Sequence, residues 1–142
     1  MALDVCSIVY LGPKYMQTRA KWLGRTISAL TVFVMIADGV TGLFRPNLIA
    51  TAMAGDGWPP ETVLPIAVLA LTGGLLYAIP QTAMLGAIVI TGFAGGALAA
   101  HLRVTSAFIW PEIVNILIAV AAWTGLYLRD QKLRALLPFR RL

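Results

Sequence analysis

Four long apolar stretches, residues 22–44, 63–79, 82–102 and 111–128, each run for 17 to 23 residues. A bilayer core of roughly 30 Å takes about 20 helical residues to cross. Each stretch therefore has the length of one membrane span. In hydrocarbon the backbone must satisfy its own hydrogen bonds, which leaves helices or closed barrels. Alternation of period two is absent, so a barrel is not expected. The predicted fold is all-α: a four-transmembrane-helix bundle.

Composition removes the main competitor, a very apolar helical bundle in water. Hydrophobic residues make up 59% of the chain and charged residues 12%, with a mean hydropathy of +0.83. A soluble domain carries about a quarter charged residues, and its helices need polar faces that these lack.

Basic residues predict the orientation. Lys14, Arg19 and Lys21 precede the first span and Arg25 lies in its first turn, and Arg129, Lys132, Arg134, Arg140 and Arg141 follow the last. The opposite loops hold only Arg45 and Arg103. The positive-inside rule then places both termini in the cytoplasm, and an even number of spans independently requires the termini to share a side. The net charge of +5 reads as topology plus attraction to anionic headgroups. The lipid bilayer is the expected partner, and nucleic acid is not.

Helix punctuation agrees with these spans. Arg45-Pro46-Asn47 ends the first, Trp58-Pro59-Pro60-Glu61 precedes the second, Ile79-Pro80-Gln81 divides the second from the third, and Pro111 opens the fourth, a position where the ring is tolerated. Spans two and three form a tight antiparallel hairpin. The longest connection, 45–62, has 18 residues, too few for a second core. Trp22, Trp58, Trp110, Tyr127 and Tyr77 fall near predicted interfaces, where amphipathic rings concentrate. Residues 1–20 read as a weakly ordered extension and 21–142 as the membrane domain. Met16, followed by Arg19, Lys21 and Arg25, makes a more natural start than Met1, so residues 1–15 are expected to be an addition. Cys6 is the one cysteine, and a single thiol closes no internal disulfide and runs no dithiol cycle.

In the third span Gly92, Gly96 and Ala100 recur every four residues, with Gly95 beside them. Small residues at this spacing let a second helix approach closely and gain van der Waals contact. Helix packing is the expected role of Gly92, Gly95, Gly96 and Ala100, with Gly73 and Gly74 as partners.

Six polar residues should share the half of the bundle away from the termini: Asp38, Arg45, His101, Arg103, Glu112 and Asn115. A lone charge in hydrocarbon costs about 2.5 to 3.5 kcal/mol even on insertion scales, so Asp38 is expected to pair with Arg103 or His101. Such a pair is either an interhelical clamp or the lining of a small polar pocket. Glu112 also suits a helix N-terminus.

Several chemistries are not supported. Bis-histidine haem needs two histidines and the chain has one. Zinc would have to use His101, Asp38 and Glu112 without cysteine or supporting spacing, so no metal is expected. No phosphate-binding Gly-Lys-Ser/Thr loop or dinucleotide fingerprint occurs.

The run Ile79-Pro80-Gln81-Thr82-Ala83-Met84-Leu85-Gly86, and Gly92-Phe93-Ala94-Gly95-Gly96 leading to His101-Leu102-Arg103, resemble the signature of the DoxX-like family of small bacterial four-helix membrane proteins. Asp38-Gly39-Val40 is similar to the end of that family's first span, and residues 126–138 to its C-terminal end. The resemblance covers residues 20 to 140. Three positions depart from it: Gly42 stands where a basic residue is expected, Gln81 where arginine is common, and the apolar 67–71 where a glutamate often occurs. Arg45 is a possible substitute for the cation missing at 42.

What the resemblance implies is a multi-pass protein of the bacterial cytoplasmic membrane. Some wider relatives are linked to quinol oxidation or to oxidoreductase assemblies that handle oxidative stress. The leading expectation is thus an accessory or small subunit of a membrane redox system, not catalytic on its own, with another membrane redox protein as partner and quinone as the candidate cofactor. His101 would hydrogen-bond a quinone carbonyl, Arg103 would favour the reduced anion, Asp38 would orient the arginine or relay a proton, and Trp110 would flank the ring. The alternatives are a carrier or binding protein for a small amphiphile or proton, and a non-catalytic assembly partner docked through the glycine face.

Overall fold

The computed structural model describes residues 3–104, 110–130 and 133, with side chains from residue 18 onward. It is all-helical among the described residues, with helices α1 (Leu3–Phe44), α2 (Pro46–Ala54), α3 (Val63–Ala78), α4 (Ala83–Val104) and α5 (Trp110–Arg129). Four segments are long and apolar enough to cross a membrane: Thr18–Phe44, Pro60–Ala78, Ala83–Val104 and Trp110–Arg129. These match the four stretches read from the sequence. Helix α1 continues back to Leu3 in its backbone; the side chains of Cys6 and Lys14 lie outside the described residues, as do Lys132, Arg134, Arg140 and Arg141.

The outward faces are lipid-like. Leu30, Phe33, Leu64, Leu85 and Leu117 are all more than half exposed, whereas the inward faces are built from small residues. Along α1 the buried positions are Gly24, Ser28, Thr31, Met35, Gly39 and Gly42, three or four residues apart, which is one face of a helix. On α3 they include Ala67, Ala70, Gly73, Gly74 and Tyr77, and on α4 Ala83, Gly86, Ala87, Ile90 and Ala94. Lipid tails are as apolar as leucine, so burying leucine gains little in a membrane; close backbone approach gains dispersion instead.

The four spans form a ring. Helix α1 packs on α3 and α5, and α4 packs on α3 and α5, while the backbones of the diagonal pairs, α1 with α4 and α3 with α5, stay apart. The centre of the ring is therefore filled by side chains, and its two ends are filled differently.

At the end where α1 begins and α5 finishes, Tyr77 fills the middle. Its side chain is wholly buried, and its hydroxyl donates to the Ala122 carbonyl at 2.6 Å. The Ser28 hydroxyl, 3.1 Å away, is left to donate to the Tyr77 oxygen. One side chain of α3 thus ties α1 to α5 across the ring. The helices close in tightly here: a Cβ on Gly86 would lie 2.2 Å from the Tyr77 backbone nitrogen, and one on Gly125 would lie 2.7 Å from the Ser28 Oγ. Arg129 donates to the Tyr77 carbonyl at 3.0 Å and sits 4.8 Å from the Tyr77 ring centre. That carbonyl is in the last turn of α3, where oxygens lack intrahelical partners and a cation is favoured. Thr82 does the same for the Leu76 carbonyl at 2.8 Å.

The connection 45–62, too short for a second core, contains α2 and a single 3-10 turn at Pro60–Thr62. Pro46 stands in the first turn of α2, where its missing N–H costs nothing. Gly57 ends the segment at a φ of 74°, a left-handed conformation that glycine adopts without strain. The chain can then turn back toward α3.

Candidate functional site

The end of the ring opposite Tyr77 is hollow. The last buried residue of α4 is Ala94, and α5 has none between Glu112 and Ala122. The space is a partly open cavity of about 560 Å³, walled by all four spans together with α2 and the residues that follow it. Its walls are mainly apolar, including Val34 and Met35 of α1, Ile49 and Met53 of α2, Ile66 of α3, Phe93 of α4 and Ile118 of α5. Four polar side chains interrupt them: Asp38, Asp56, His101 and Asn115. A small-molecule site has this character and a volume of roughly 300–1,000 Å³.

The glycines of α4 make this space. A Cβ built on Gly92, Gly95 or Gly96 meets nothing within 4 Å, and Gly92, Gly96 and Ala100 are themselves wall residues. The expected helix packing at this face is not made within the described chain. The tight approaches lie at Gly24, Gly39, Gly42, Gly86 and Gly125 instead. Gly73 does face α4, but against Val89 and Ile90, and Gly74 faces Met35 and Ile36 of α1.

Three of the six polar residues expected to cluster line the cavity: Asp38, His101 and Asn115. Their pairing differs from expectation. The partner of His101 is Asp56, with Nδ1 3.0 Å from Oδ2 and both side chains partly buried. Arg103 is exposed, lies off the wall, and donates to the Asp56 backbone carbonyl at 3.4 Å. The backbones of α1 and α4 lie diagonally apart in the ring, and among the described residues no hydrogen bond or ion pair joins Asp38 to His101 or Arg103. The segment after α2 brings Asp56 to them. Among the described residues Asp38 makes no hydrogen bond or ion pair, although it is exposed on the cavity wall.

Asn115 donates from Nδ2 to the Pro111 carbonyl at 2.9 Å. Glu112 is wholly buried in the first turn of α5 and is not a wall residue; no buried side-chain polar atom among the described residues lacks a partner. An acid in a first turn suits the helix dipole. Arg45 is exposed at the start of α2, away from the cavity. Trp110, expected to flank a ring, is 76% exposed and is likewise off the wall.

Sequence reasoning missed Asp56 and the α2 wall, and placed Trp58 only at an interface. The signals were present: Pro46 as a helix start, the apolar Leu48, Ile49 and Met53, and Gly55-Asp56-Gly57 as a turn. An acid in a turn between spans reads as solvated until the turn is seen to fold back over the bundle.

This geometry can hold a molecule with a long apolar part and a small polar one. The apolar part would lie against Val34, Met35, Phe93 and Ile118; the polar part would meet Asp38, the Asp56–His101 pair and Asn115. No curated protein and no solved structure matches the chain. A model of the DoxX-like family matches residues 26–125, a stretch that holds most of all four spans and every wall residue of the cavity named above. The chain belongs to the DoxX-like family.

Proposed function

We propose that this chain is a non-catalytic binding protein or carrier for a small amphiphile within the bacterial cytoplasmic membrane. The observation that carries the reading is the cavity of about 560 Å³ with Asp38, Asp56, His101 and Asn115 on otherwise apolar walls. Both termini face the cytoplasm in this reading, on the distribution of basic residues, so the cavity lies in the outer half of the membrane.

The test is to extract the protein in mild detergent and identify the molecules it retains by mass spectrometry, for wild type and Gly96→Phe. Gly96 lines the cavity with nothing within 4 Å of its Cβ direction, so phenylalanine fills the space. Retention should fall sharply in the variant. Equal retention by the two proteins would remove the reading.

A redox accessory role with quinone as occupant is the second reading, favoured by His101 on the wall as a hydrogen-bond donor for a carbonyl. It has less geometric support, because Arg103 and Trp110 stand off the cavity. Co-purified quinone lost on His101→Ala would place it first.

A further inference from the structure

We infer that the amphiphile is a lipophilic cation, with Asp38 as its counter-ion. The inference rests on the binding reading above and names the class of ligand. Asp38 presents a carboxylate to the cavity from inside a membrane span, and among the described residues nothing pairs with it. An ionisable group at such a depth is costly unless it meets a partner or water.

Among the described residues no lysine or arginine lies on the wall. Arg45 is not a wall residue, Arg103 meets Asp56 at its backbone carbonyl, and His101 is engaged by the Asp56 carboxylate. The charged side chains on the wall itself are therefore the two carboxylates and the histidine, with the Arg103 guanidinium behind Asp56. An anionic amphiphile would face two acids and one histidine. A cation would supply the charge that Asp38 lacks.

The walls suit such a guest. Trp58 and Phe93 both line the cavity, and aromatic faces attract cations through the ring quadrupole, most strongly away from water. The remaining wall accepts apolar substituents. A delocalised or shielded charge on an apolar frame fits this arrangement better than a small hydrated ion, for which the wall holds too few oxygen ligands.

Three probes of similar frame separate the possibilities: tetraphenylphosphonium, uncharged triphenylphosphine oxide and anionic tetraphenylborate. Binding is measured by equilibrium dialysis on the full chain in lipid nanodiscs, against empty nanodiscs. The expected order is cation tighter than neutral, and neutral tighter than anion. Asp38→Asn should weaken the cation at least tenfold, leave the neutral probe within about twofold, and be rescued by Asp38→Glu. Gly96→Phe should reduce all saturable binding.

If Asp38→Asn leaves the cation unaffected, or the neutral probe binds as tightly as the cation, the counter-ion assignment is wrong; saturable binding that still falls in Gly96→Phe keeps the cavity as a binding site. If no probe binds saturably, or Gly96→Phe changes nothing, the binding reading falls as well. Circular dichroism and gel filtration of each variant confirm that the bundle is intact. Asp38 is an exposed wall residue, so its conservative changes leave the packed end of the ring untouched.

Discussion

Replacing Gly86 with alanine should destabilise the bundle, whereas the same change at Gly92, less than two helical turns away, should not. A Cβ on Gly86 would lie 2.2 Å from the Tyr77 nitrogen, 2.5 Å from its Cα and 2.7 Å from its Cβ. That is about 1.2 Å short of the 3.4 Å at which ordinary contact begins. The obstructing atoms are mainly backbone, so no rotamer change relieves the clash, and α3 and α4 are held by the short turn between Ala78 and Ala83. The helices have to separate, loosening Tyr77 and its bonds to Ser28 and Ala122. Overpacking a core costs about 1–3 kcal/mol, and rigid backbone on both sides places this case at the top of the range. The glycine-to-alanine gain in helix propensity, about 1 kcal/mol, offsets part of it. The expected net loss at Gly86 is about 2 kcal/mol. At Gly92, where nothing lies within 4 Å, only the propensity gain remains, so the two variants should differ by about 3 kcal/mol. The assay is reversible unfolding in mixed dodecylmaltoside and SDS micelles, followed by far-UV circular dichroism. A Gly86→Ala variant as stable as wild type would refute the close approach of α3 and α4 at Tyr77.

Tyr77→Phe removes the hydroxyl bonded to Ala122 and Ser28 and should cost about 1–2 kcal/mol in the same assay, since interhelical bonds in membranes average about 0.6 kcal/mol each and Ser28 loses its partner. His101→Ala breaks the bond to Asp56 and should speed amide hydrogen exchange across residues 46–62 while leaving residues 63–78 protected; unchanged exchange would mean that the pair does not hold α2. Trp123→Phe removes the 2.9 Å bond to Thr91 and should cost under about 1 kcal/mol. A reporter fused after Leu142 should be active only when it is of a cytoplasmic type, and a periplasmic signal would reverse the orientation proposed from the basic residues.

The spans were legible because length and hydropathy are one-dimensional properties, and Pro80 and Pro111 mark their ends in the sequence as in the structure. The cavity was half legible. Asp38, His101 and Asn115 stand out because polar residues are conspicuous in apolar runs. Their partners were not readable, because contact depends on which helices are neighbours around the ring. The stripe Gly92, Gly96, Ala100 shows the limit most clearly. Small residues every four positions leave room beside a helix, but whether a neighbour or open space occupies that room is decided by the diagonal arrangement of α1 and α4. The packing stripe on α1, from Gly24 to Gly42, is longer and mixes glycine with serine, threonine and methionine, so it was less visible. Gly42, which departs from the resemblance, packs against α3 instead: a Cβ there would lie 2.6 Å from the Ala67 Cβ.

The tyrosine at one end of the ring and the hollow at the other divide the molecule into parts that answer to different demands. Residues around Tyr77 keep the fold, and a change there is felt at once in stability. Residues around the hollow contribute few contacts, so they are free to vary in shape and charge while the scaffold stays assembled. A single architecture can in this way serve many guests, and its diversification would be concentrated in α2, the second half of α4 and the first half of α5.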